Sequence, residues 1–235
     1  MNFEILKYKT VDSTNDQAKR LAFKGYSEGT VIIAESQTSG KGRFGNSWDS
    51  PVFSGLYMSL ILKPSTNIVS KITMTAAVAL SKTLSADIKW VNDILINGKK
   101  ICGILAEATE NFIVLGIGVN VLNEAFPEDL KNKATSLYLE HCIRYEIDDI
   151  IGEILENFNK EYNFVTETGD ITKIYAERCV TVNKDIQFTL NGKICSGFAV
   201  GIATDGGLIV ETAGETITLR SGEARLLNQY NQERI

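Results

Sequence analysis

The chain has 235 residues, 44% of them hydrophobic, and a formal net charge of −5. That length allows one large domain, or a medium domain with a small one. The acidic balance argues against non-specific nucleic-acid binding, which relies on clustered Lys and Arg.

Along the chain, Phe3 to Tyr8 alternates as a strand does. Ser13-Thr14-Asn15-Asp16 offers capping side chains before a helix running to about Phe23. Thr30 to Ala34 is β-rich, and Leu56 to Leu62 is an apolar strand. Ile72, Ala76, Ala79 and Leu80 give helical spacing within Ile68 to Leu84. Ile94 to Ile96 and Ile101 to Ala106 read as hairpin strands around the turn pair Asn97-Gly98. Phe112 to Val121 follows as a strand, then Asp148 to Phe164 and Ile171 to Cys179 as helices. Strands alternate with helices, so residues 1–180 predict an α+β domain with a mixed sheet and flanking helices.

Beyond Val180 the composition changes. Short strands are broken at Asn191-Gly192, Asp205-Gly206-Gly207 and Ser221-Gly222. Residues 181–235 therefore predict a small β-barrel or sandwich of about five strands.

Four cysteines without a C-x-x-C pair, and a single histidine, His141 in a polar connection, argue against a zinc site. The thiols read as reduced, and the location as cytoplasmic. Met1-Asn2-Phe3-Glu4 lacks the basic start of a signal peptide, and no apolar run is long enough to span a bilayer.

Chemistry concentrates in Ser39-Gly40-Lys41-Gly42-Arg43-Phe44-Gly45-Asn46-Ser47-Trp48. Glycine lets backbone approach a ligand closely. Arg donates a planar fork to phosphate and Lys adds a point charge. The segment reads as a mobile anion-gripping loop or, equally on its own, as a solvated turn. A second polar concentration is Lys89-Trp90-Val91-Asn92-Asp93, leading into Lys100-Ile101-Cys102-Gly103-Ile104-Leu105-Ala106-Glu107.

Together these segments resemble the biotin protein ligases, whose loop reads roughly G-R-G-R-x-x-R-x-W and whose hairpin reads K-W-P-N-D, then K-x-x-G-I-L-x-E. Ser13-Thr14-Asn15, Gln37 and Gly116-Ile117-Gly118-Val119-Asn120 match in the same order. The resemblance implies a class II synthetase-like catalytic domain and an SH3-like C-terminal domain. It also implies a short form, without the DNA-binding winged helix that some members carry, and hence no DNA binding and no membrane. The implied activity joins biotin to ATP with Mg²⁺, giving biotinyl-5′-AMP, and then transfers biotin to a lysine of a biotin carboxyl carrier domain. Family members often dimerise, so a homodimer is possible.

On this resemblance Lys100 bridges the biotin carboxylate and the α-phosphate, with Lys99 as the fallback. Arg43 contacts the adenylate, and Asp93 meets the incoming amine. Ser13, Thr14, Asn15, Gln37, Gly40, Gly42, Gly103 and Ile104 form the biotin pocket with Arg43 and Lys100. A ureido group, with two N–H donors and one carbonyl, suits such a mixed polar set. Lys41, Arg43, Trp48, Asn92 and Asn120 serve ATP. No protein-held metal is expected, since Mg²⁺ travels on the phosphates. Lys41 and Asn46 stand where relatives have arginines, and Val91 where they have proline. Glu107 reads as an exposed strand residue. The competing readings are a lipoate or octanoyl ligase of related fold, whose R-R-x-S-G-G-G loop is absent, and a non-catalytic biotin sensor.

Overall fold

The computed structural model describes residues 1–227; the last eight residues of the expected C-terminal domain lie outside the described part. Strands β1 (Glu4–Val11), β2 (Thr30–Gln37), β3 (Gly55–Leu62), β4 (Asp87–Lys89), β5 (Asp93–Ile96), β6 (Lys99–Ala108) and β7 (Ile113–Asn120) build one sheet. Its order is β1-β2-β3-β7-β6-β5-β4. Only β1 and β2 pair in parallel; the other neighbours are antiparallel, so the sheet is mixed as expected. The short β4 carries no periodic signal of its own.

Helix α1 (Thr14–Phe23) covers one face of this sheet, placing Ala18, Leu21 and Ala22 over Ile32, Ile61 and Val114. Helix α2 (Ile72–Thr83) belongs to the other face and is buried on nearly every side, with α4 (Ile147–Thr168) and α5 (Thr172–Arg178) packed around it. The turn before α2, Thr66–Lys71, is a 3-10 helix rather than the start of the predicted α-helix. Asn97 and Gly98 both have positive φ (50° and 77°), as a two-residue hairpin turn requires. His141, read from the sequence as lying in a polar connection, ends a short helix there, α3 (Leu137–His141); its ring bonds to Tyr145.

Strands β8 (Lys184–Leu190), β9 (Lys193–Ile202), β10 (Leu208–Glu211), β11 (Thr216–Leu219) and β12 (Ala224–Leu226) form an antiparallel sheet in the order β11-β10-β9-β8-β12. This is the five-stranded SH3-like module anticipated. Among the described residues it does not have a separate interior. Ile186, Phe188, Ala199, Leu208 and Val210 share one continuous apolar cluster with Ile88, Trp90 and the α2 residues. The Trp90 indole N–H donates to Gly206 O at 2.9 Å, and the Trp90 amide donates to Thr181 Oγ1 at 3.0 Å. Among the described residues no helix is long and apolar enough to cross a membrane.

Candidate functional site

The α1 face of the sheet is hollowed by glycines. Gly103 and Gly118 are register partners on β6 and β7, and Gly116 lies one pleat away on the same face. A side chain at any of the three would collide with something already there. A Cβ at Gly118 would stand 2.5 Å from the Trp48 ring, one at Gly103 2.9 Å from it, and one at Gly116 2.2 Å from Asn15 Oδ1. Alternating glycines in a strand mark close approach by another group, and this is the signal Gly118 carries in the sequence.

Above this floor opens a cleft of about 200 Å³. Ser13, Thr14 and Asn15 reach it from α1, Gln37 from β2, and Lys41, Gly42, Arg43 and Trp48 from the glycine loop. Asn92, Asp93, Lys100, Gly103 and Ile104 complete it from the hairpin, and Gly222 and Glu223 from the turn before β12. Thirteen of the fifteen residues expected at the site thus line one cleft.

The two others stand apart. Gly40 is outside the cleft wall: a Cβ there would meet Trp48 O at 2.3 Å and Ser50 Oγ at 2.8 Å, so its missing side chain lets the loop close on itself. Asn120 lines an adjoining cavity of about 490 Å³, along with Lys89, Phe126 and Lys133, and its amide donates to Thr135 O at 3.0 Å. That cavity shares Trp48, Asp93 and Lys100 with the cleft. Ile104 also differs from expectation in one respect. Strand alternation turns its side chain into the core, 2% exposed, while its main chain exchanges hydrogen bonds with Asn92.

The glycine loop folds as a small hairpin. Gly42 N donates to Asn46 O at 2.7 Å, and Trp48 N to Gly40 O at 2.9 Å. Phe44 and Gly45 take positive φ at its tip. Its cations are directed differently. Lys41 pairs with Asp16 of α1 at 2.6 Å, and this carboxylate raises its pKa. Arg43 turns inward and donates to Asn92 Oδ1 at 2.9 Å and Gly222 O at 3.5 Å. Burial lowers its pKa, while the negative charges of Asp93 and Glu223 oppose that shift; a guanidinium stays charged throughout. Lys100 pairs with Asp93 at 2.7 Å and sits 5.3 Å from the Trp48 ring centroid. The Trp48 indole nitrogen is buried without a partner among the described residues. The Trp90–Val91 peptide is cis.

The polar residues of α1 are largely committed to one another. The Ser13 hydroxyl does not cap the helix. Gln37 Oε1 accepts from the Thr14 amide at 2.8 Å, and Gln37 Nε2 donates to Ser50 Oγ at 2.8 Å. Ser59, which motif reading passes over because it sits in an apolar strand, lies within 2.8 Å of Thr14 Oγ1 and 2.6 Å of Asn15 Oδ1. Glu107 is not a bare surface residue: it receives Asn15 Nδ2 at 2.7 Å and Lys19 Nζ at 2.6 Å. Chemically the arrangement is a pocket that brings the cations Arg43 and Lys100 together with the carboxylates Asp93 and Glu223 and has a polar end at α1. That suits an anionic reaction centre with a polar, uncharged head group at one side.

Residues 8–122 match the biotin/lipoate A/B protein ligase family, and residues 181–227 match the biotin protein ligase C terminal domain. The bifunctional ligase/repressor BirA of Bacillus spizizenii is 36% identical over 230 residues, covering 90% of this chain and 70% of that protein. The biotin–[acetyl-CoA-carboxylase] ligase of Mycobacterium tuberculosis is 28% identical over 229 residues, covering 90% of this chain and 84% of that protein. Among solved structures, the biotin protein ligase from Aquifex aeolicus in complex with biotin and ATP superposes with a TM-score of 0.81 at 25% identity. It covers 95% of this chain and 98% of that one.

Proposed function

The chain belongs to the biotin protein ligase family and is a ligase, and on that premise we propose that it activates biotin with ATP and transfers it to a carrier-protein lysine. The observation that carries this reading is the convergence of Lys100 and Arg43 on a glycine-floored cleft that also holds the Ser13-Thr14-Asn15 end of α1. In the first step a biotin carboxylate oxygen attacks the α-phosphorus of ATP. The bond to the β-phosphate breaks and pyrophosphate leaves, giving biotinyl-5′-AMP. Both reactants are anions, so the protein's task is to hold them together and to offset charge building on the phosphorus oxygens. Lys100 lines both the cleft and the adjoining cavity, which supports a contact with each group. Arg43 holds the loop against Asn92 and leaves donors for the adenylate.

In the second step the ε-amine of a lysine on a biotin carboxyl carrier domain attacks the acyl carbonyl. An amide forms, AMP leaves, and the amine proton passes to Asp93, the cleft carboxylate nearest Lys100. The ion pair holds the Lys100 ammonium in position before substrates enter. Mg²⁺ arrives as part of the nucleotide. Asp93 is engaged by Lys100, and the described residues hold no cluster of three carboxylate, His or Cys ligands. The C-terminal match favours biotin over a lipoyl or octanoyl substrate, because it is to the biotin protein ligase module. Action in the cytoplasm, with no DNA partner, and pairing as a homodimer complete the proposal.

The test is incubation of the protein with ATP, Mg²⁺ and either biotin or lipoate, reading acyl-AMP by mass spectrometry. Biotinyl-AMP alone supports the reading. Lipoyl-AMP in preference, or no adenylate with either acid, overturns it.

A further inference from the structure

Resting on that reading, we infer that Glu107 is a positioning residue for biotin recognition: it dictates which end of the Asn15 amide the cleft presents. An amide's oxygen and nitrogen ends are set only by what surrounds them. Here the surroundings are unambiguous. The Glu107 carboxylate, which accepts only, lies 2.7 Å from one end of the Asn15 amide, and the Leu105 carbonyl, also only an acceptor, lies 3.3 Å from it. That end must be the NH₂ group. The other end, Oδ1, rests over Gly116 on the cleft floor, with Ser59 Oγ 2.6 Å away.

The arrangement gives the cleft an acceptor rather than a donor at this point. The Asn15 oxygen has two lone pairs, and Ser59 occupies one. The second suits an N–H of a ureido ring, which has two such donors. Lys19 completes the device. Its ammonium holds the other Glu107 oxygen at 2.6 Å, so both oxygens of the carboxylate face donors. β6 alternation brings Glu107 to the face that carries Gly103, and α1 spacing sets Asn15 and Lys19 one turn apart.

This predicts an uneven response to Glu107→Gln. The introduced amide has one acceptor end for two donors. Lys19 claims that end, leaving an NH₂ facing Asn15. The Asn15 amide then turns over to avoid two opposed donors and presents its own NH₂ to the cleft and to Ser59. A misplaced buried donor costs about tenfold to hundredfold in affinity. Adding Lys19→Met removes the competitor, so the introduced amide offers its oxygen to Asn15 again.

The experiment uses the full chain as wild type, Glu107→Gln, and Lys19→Met/Glu107→Gln. It measures biotin binding by calorimetry, and the biotin KM, ATP KM and kcat of adenylate formation. The expected result is weaker biotin binding and a raised biotin KM for Glu107→Gln, with ATP KM and kcat unchanged, and recovery of biotin affinity in the double variant. Wild-type biotin affinity in Glu107→Gln overturns the inference. So does a loss spread over both substrates that the second substitution fails to restore, since general loosening would do that. If the wild type binds biotin but makes no adenylate, the functional reading fails and calorimetry alone decides the role of Glu107. If it binds no biotin, both fall.

Discussion

Lys100 reaches Asp93 by lying across Gly103: Asp93 pairs with Gly103 in the β5–β6 ladder, and the register shift after Ile94 sets Lys100 opposite Leu95. A Cβ at Gly103 would stand 3.3 Å from Lys100 Cε and 3.4 Å from its Nζ. The absent side chain therefore makes room for the ammonium's path.

Lys100→Met is expected to slow adenylate formation by about two to three decades, the usual effect of removing one preorganised charge contact. The pair is partly exposed, so the melting temperature should move little. Single-turnover pyrophosphate release measures the first claim and thermal melting the second. Adenylation at the wild-type rate would refute the assigned role.

Arg43→Gly is expected to make biotinyl-AMP yet release it early. The substitution removes the contacts to Asn92 Oδ1 and Gly222 O that tie the loop to the hairpin and to the C-terminal module. Lys41 does not replace them, being paired with Asp16. The readouts are the adenylate dissociation rate and biotin labelling of a bystander such as serum albumin. Unchanged dissociation with background labelling would count against it.

Gly118→Ala is expected to impair the site more than Gly103→Ala, because the added methyl meets the Trp48 indole at 2.5 Å rather than 2.9 Å. Neither glycine has positive φ, so the effect is steric and not conformational. Displacement of Trp48 should appear as altered indole fluorescence in a Trp90→Phe background, with raised KM values. Identical spectra for Gly118→Ala and its parent would show that Trp48 does not rest there.

Alkaline pH should destabilise the fold through its buried phenols. Desolvation pushes the Tyr57 pKa from 10.0 to about 12, and also raises those of Tyr162 and Tyr175. Above pH 10 the unfolded chain releases these protons while the folded chain keeps them, so stability falls as pH rises through this window. Tyr57→Phe should flatten the fall between pH 10 and 12. It should also cost about 1 kcal/mol at neutral pH, because the hydroxyl donates to Pro51 O. Melting curves at pH 8 and pH 11 for both proteins decide it, and parallel losses would refute it.

Much of this architecture was legible in the residues. The periodicity of α2, the Asn97-Gly98 turn and the cationic loop each carry local signals that survive in the structure. What stayed hidden was non-local. Nothing around Ser59 marks it as polar machinery, because its partner Asn15 comes from a helix 44 residues earlier. Glu107 looks like any solvent-side strand residue until α1 lays Lys19 and Asn15 against it. Gly40 resembles Gly42 in sequence, and only loop closure separates their tasks. Likewise, strand polarity alone does not say which face holds the core: Ile104 borders the cleft, yet its side chain packs into the core and its main chain bonds to Asn92.

The apolar interior running unbroken from α2 into the C-terminal strands has a practical reading for protein engineers. Position 180/181 is the tempting place to split such a ligase into two halves for a fragment-complementation reporter. Each half cut there would carry away one wall of the same interior, leaving Trp90 and Ile88 bare on one piece and Ile186, Phe188 and Leu208 on the other. Such halves would associate with themselves or with chaperones before they reported anything. A break at the Asn191-Gly192 turn disturbs no buried side chain at the cut, but it severs the β8–β9 hairpin. The exposed stretch between Glu124 and Lys133 is the better opening, although it borders the cavity beside Lys100.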